Sequence, residues 1–94
     1  GGFLENIPRI LPQDCQAEIK LGTWPVLPVF NVMQKIGNID PSEMYRVFNM
    51  GIGMVLIIDP ADYTKVKKIS SLAGEEISKI GIVTEGDGGV VIND

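Results

Sequence analysis

Two Asp-Pro pairs, Asp40-Pro41 and Asp59-Pro60, enclose a continuous apolar run, Met54-Val55-Leu56-Ile57-Ile58. Proline lacks an amide hydrogen and its ring fixes φ, so it suits the first turn of a helix and disrupts the interior. In each pair the preceding aspartate can accept hydrogen bonds from the early helix amides. Glu43 stands three residues after Asp40 and can reach back to it. Both pairs therefore predict helix starts, the first helix running to about Phe48. The run between them is rich in branched residues and is predicted to be a central strand, buried on both faces.

The remaining elements follow from the same punctuation. Phe3 to Ile7 makes one or two helical turns, which Pro8 should end. Gln16 to Lys20 alternates and predicts a short strand. Trp24 to Pro28 is extended and leads into a helix with Pro28 near its first position. Val29, Phe30, Met33 and Ile36 form one face of that helix, and Gly37 suits its C-terminal cap. After Asp59-Pro60 a helix should carry Tyr63, Val66, Ile69 and Leu72 inward and close at Gly74. Strands over about 78–84 and 89–92 finish the chain, with Glu85-Gly86-Asp87-Gly88 predicting a tight hairpin. The order points to one α+β domain over 1–94, a single sheet with helices packed on one side.

Composition narrows the function. The 94 residues suffice for one domain. A net charge of −4 argues against nucleic acid, which calls for a basic stripe. There is no histidine, the commonest general base and metal ligand. The one cysteine, Cys15, permits neither an internal disulfide nor a cysteine-rich zinc site. No apolar run approaches the roughly 20 residues of a membrane span. Cytoplasm is the default expectation.

Two stretches are candidate sites. Gly1-Gly2 before a helical turn lets backbone amides converge on an anion. Arg9 could add a fork of donors to a phosphate, and Asn6 could bond a ribose or amide. The competing reading makes Gly-Gly a cloning remnant and Glu5–Arg9 a surface pair. The second stretch is Phe48-Asn49-Met50-Gly51-Ile52-Gly53-Met54. Gly51 and Gly53 permit close approach by a ligand or by a neighbouring helix. This stretch lacks the third glycine and the strand-before-helix order of a dinucleotide fingerprint. Lys65, Lys67 and Lys68 read as a solvated helix face. Glu85, Asp87 and Asp94 match no calcium-loop spacing. No nucleophile–base pair and no metal cluster is visible.

Taken in order, GGFLENIPRILP, TWPVLPVF, GNIDPSEMYRVFNMGIGMV and KIGIV resemble the C-terminal half of the phosphoribosylformylglycinamidine cyclo-ligase family, also called aminoimidazole ribonucleotide synthetases. ENIPR and EMYRVFNMGIGM are the most specific parts. The resemblance implies a chain that begins inside the family's glycine loop, truncated at its N-terminus. It implies ATP- and magnesium-dependent closure of formylglycinamidine ribonucleotide to aminoimidazole ribonucleotide, in purine synthesis. It further implies a homodimer whose ATP and metal residues lie mainly in a missing N-terminal domain of the same chain. By this likeness Gly1, Gly2, Asn6 and Arg9 bind substrate, Asn49, Gly51 and Gly53 pack beside the cleft, and no catalytic or metal residue lies in this segment. The segment alone is expected to be inactive, to bind no cofactor, and to self-associate if a sheet edge is left unpaired. The alternatives are the same region of a related ATP-using enzyme, formylglycinamidine ribonucleotide synthetase or selenophosphate synthetase, and a non-catalytic small-ligand module.

Overall fold

The computed structural model describes residues 2–93, so the readings of Gly1 and Asp94 lie outside the described residues. The central element is β1 (Cys15–Lys20), flanked in a three-stranded sheet by β2 (Gly81–Glu85) and β3 (Val90–Asn93). β2 runs antiparallel to β1, with Ala17 opposite Val83, and β3 runs parallel to it, with Ala17 opposite Val90. Alternation along β1 explains its place. Ala17 and Ile19 are buried on one face, while Glu18, one residue out of phase, accepts a 2.8 Å hydrogen bond from the Thr84 hydroxyl.

The expected hairpin does not form. Residues 86–89 pass the start of β1, where the Gly86 amide donates to the Asp14 carbonyl at 3.0 Å and the Ala17 amide donates to the Gly89 carbonyl at 3.1 Å. β2 and β3 thus occupy opposite edges of β1 and leave neither of its edges bare. Gly81 allows the close approach on the β2 side, because a Cβ there would collide with the Glu18 carbonyl.

Among the described residues four α-helices accompany the sheet: α1 (Gly2–Asn6), α2 (Pro28–Gly37), α3 (Pro41–Val47) and α4 (Tyr63–Leu72). Pro8 ends α1 as expected, and the chain tightens into a 3-10 turn over Ile7–Arg9. At α3 the Asp40 carboxylate accepts from the Ser42 amide at 2.9 Å and from the Ser42 hydroxyl at 2.7 Å. These bonds hold the Asp40 carboxyl below its usual range. Glu43 pairs with Arg46 instead of reaching back. At the second Asp-Pro pair, Asp59 caps a 3-10 turn over Pro60–Asp62, and α4 follows it. Gly37 is the last residue of α2. Its cap is Asn38, in the left-handed region at φ 50°, because an asparagine amide tolerates that conformation.

The core consists of Phe3, Ile7, Ala17, Ile19, Trp24, Met44 and Met50. It is therefore built by α1, α3, β1 and two connecting segments. Three expectations fail at its border. Met54 to Ile58 forms no strand, and Met54 is 81% exposed; β1 holds the central place expected for the run, and among the described residues no strand pairs with it. In α4 the residues expected to face inward include Ile69 and Leu72, and Leu72 is 81% exposed, for no sheet surface lies beneath them. On α2 only Phe30 of the apolar face packs against the core, and Ile36 is 83% exposed.

Candidate functional site

α1 and the segment that follows α3 enclose an open cleft of about 720 Å³. On one wall stand Gly2, Asn6 and Ile10, with Phe3 and Ile7 reaching into the core behind them. On the other stand Phe48, Asn49, Ile52, Gly53, Met54 and Val55, and Phe30 and Val47 complete the rim.

Each wall has a local cause. Gly2 lies at φ +61°, and a Cβ on it would collide with the Tyr45 carbonyl and sit 2.8 Å from that of Phe48. α1 therefore rests against the C-terminal carbonyls of α3, a contact open only to glycine. Phe3 fixes the helix further by stacking on Tyr45, with ring centroids 6.4 Å apart. The Asn6 side-chain amide donates to the Gly2 carbonyl at 3.0 Å, which closes the short helix on itself.

The opposite wall begins with a tight turn. The Asn49 side-chain oxygen accepts from the Gly51 amide at 2.8 Å, and the Asn49 carbonyl accepts from the Ile52 amide at 3.0 Å. Met50 and Gly51 take positive φ, at 53° and 95°. A methionine in that region is uncommon. It is held there by burial and by a 3.1 Å hydrogen bond from the Trp24 indole to the Met50 carbonyl.

Four predicted residues thus meet in one cleft: Gly2, Asn6, Asn49 and Gly53. Arg9, exposed on the 3-10 turn, and Gly51, inside the tight turn, are not among the lining residues. Sequence reading assigns no separate role to Phe48 and Ile52 within the second candidate stretch, and it does not mark Val55 as a wall residue or Trp24 as the residue behind them. That Trp24 is the only tryptophan of the chain was a usable signal.

No lining side chain carries a charge. The cleft offers apolar walls, two carboxamides and backbone amides, which suit a neutral, hydrogen-bonding ligand surface. It offers no acid, base or nucleophile. Cys15 lies elsewhere, and desolvation and the neighbouring Asp14 push its thiol pKa up, away from thiolate chemistry. Among the described residues, no three His, Cys, Asp or Glu side chains come together to hold a metal. Nor is any helix among them long and apolar enough to cross a membrane.

An α+β domain whose short N-terminal helix and glycine-containing turn face each other across a neutral cleft is the class this fold defines. The family model for AIR synthase related protein, C-terminal domain, matches residues 1–94, and the chain belongs to that family. It is 56% identical over 84 residues to the phosphoribosylformylglycinamidine cyclo-ligase of Bifidobacterium longum strain DJO10A, covering 89% of this chain and 24% of that protein. The enzyme of the same name from Thermoanaerobacter sp. strain X514 is 47% identical over 92 residues, covering 98% of this chain and 27% of the relative. That from Brevibacillus brevis is 48% identical over 93 residues, covering 99% and 27%. The chain thus spans about a quarter of the length of these relatives.

Proposed function

We propose that this chain is the C-terminal part of a cyclo-ligase that closes formylglycinamidine ribonucleotide into aminoimidazole ribonucleotide, and that its cleft helps to bind that substrate. The observation that carries the reading is identity of 47–56% to enzymes of that name over nearly the whole chain. The cleft supports it, since Asn6 of ENIPR and Asn49 and Gly53 of FNMGIGM line it together. On this reading Asn6 and Asn49 offer carboxamides to the ribose and formamide groups. Gly2 serves the phosphate end, with Arg9 outside the cleft lining, and Phe48, Ile52 and Val55 keep water from one side of the reacting atoms. Positioning of this kind lowers the entropic part of a ring-closure barrier.

The described residues do not form a three-ligand metal cluster. On this reading they carry no ATP or magnesium step. Those groups, the remaining substrate contacts and the dimer interface belong to the rest of a longer cytoplasmic chain, and the 94 residues alone are inactive.

Grafting tests the reading. The 94 residues replace the corresponding segment of the Bifidobacterium longum enzyme, and ATP-dependent formation of aminoimidazole ribonucleotide is assayed. Activity within about tenfold of the parent is expected, with Asn49→Ala lowering it. A folded, soluble chimera without activity would defeat the reading, as would turnover by the 94-residue chain alone.

A further inference from the structure

Trp24 belongs to neither wall of the cleft, yet it touches both. Its indole packs edge-on against the Phe3 ring, with centroids 5.4 Å apart and planes at 76°. Phe3 lies on α1 between Gly2 and Asn6. From the same indole, Nε1 donates to the Met50 carbonyl at 3.1 Å across 26 residues of sequence. Met50 lies between Asn49 and the Gly51–Gly53 arm. The turn's internal bonds are accepted by the carbonyl and side chain of Asn49, while the Met50 carbonyl accepts from the indole. That residue's φ of 53° sets the direction in which 51–55 leave the turn.

We propose that Trp24 is a positioning residue, a brace that fixes the distance between α1 and the 49–53 turn so that both walls meet one ligand. The proposal rests on the reading that the cleft binds a ribonucleotide. A buried indole N–H commonly finds some acceptor. Here the acceptor is the carbonyl of a left-handed methionine at the root of the opposite wall, and the ring of the same indole meets Phe3 of the first wall in a T-shaped contact.

The test is an NMR titration of the 15N-labelled 94-residue chain with formylglycinamidine ribonucleotide. The single tryptophan gives one indole N–H signal, which reports on the brace directly. We expect it to move with the same half-saturation as the amides of Asn6 and Ile52. In Trp24→Phe the ring contact is kept and the donor lost. Affinity should fall about tenfold, the loss of one hydrogen bond to a buried acceptor, and the shifts of 49–53 should collapse while that of Asn6 survives. If the wild-type amides move but the indole does not, and Trp24→Phe binds equally well, the brace is refuted and the cleft reading stands. If no amide of the folded chain moves, the cleft reading falls and takes the brace with it. Should Trp24→Phe not fold, hydrogen exchange of the wild-type indole decides: ligand should slow it several-fold, and an unchanged rate overturns the proposal.

Discussion

β1 and the Met54–Ile58 run make an instructive pair. The run is the more hydrophobic by composition, yet β1 is the one that is buried: Ile19 is 3% exposed and Leu56 57%. β1 has a neighbour on each edge and α1 with its following turn on one face. The run has no strand beside it. Burial follows the supply of partners, and hydrophobicity states only how much would be gained if partners came. Val55 and Ile52 still pack against the core from the start of this segment. The segment thus divides into an inner part that walls the cleft and an outer apolar part that faces solvent.

The sharpest way to break this comparison is a matched pair of truncations. Ile19→Ala should cost about 2–4 kcal/mol in urea unfolding, as a buried large-to-small change does. Leu56→Ala should stay within about 0.5 kcal/mol, as exposed substitutions do. Equal losses would mean that the run is buried after all. A second pair contrasts two glycines of the cleft. Gly2→Ala combines a positive φ with a collision on α3 and should cost roughly 1–3 kcal/mol. Gly53→Ala meets open space and should be near neutral by the same measurement.

Asp40→Ala should destabilise α3 by removing its cap, read as a lower urea midpoint. The pH dependence has a definite sign. The folded carboxyl lies below the ordinary aspartate range, so its contribution is complete above that range and is lost as pH falls through the lowered folded value. Acid unfolding of Asp40→Ala should accordingly be less steep than that of the wild type. The smallest effect on stability, and an informative one, comes from Leu56→Lys. If the outer apolar run recruits a second copy, this change lowers the association seen by sedimentation and leaves the unfolding midpoint unchanged. An association unaffected by the charge would place the contact elsewhere.

What was legible in the sequence was what is settled within a few residues. The Asp40 cap, the short helix before Pro8 and the alternation of β1 depend on local bonds and on a period. The hairpin over 85–88 was read from the same kind of local signal, and it failed because β1 presented two edges to which β2 and β3 could pair separately. Ile69 and Leu72 have helical spacing for an inward face, but nothing in their spacing says whether a sheet lies opposite. Of the cleft, Asn6 and the glycines could be singled out by residue type, with family resemblance adding Asn49 and that they belong together. As the only tryptophan Trp24 stood out by type, but its role did not, since that is a contact across 26 residues whose acceptor is a backbone carbonyl.

Residue-resolved amide hydrogen exchange tests the central contrast most directly. The amides of Ala17 and Lys20 are bonded within the sheet region, at 3.1 and 2.8 Å. They should exchange on the order of a hundredfold more slowly than those of Leu56 to Ile58. Equal protection of the two segments would contradict the account, because it would give the apolar run a partner within the chain that this structure does not provide.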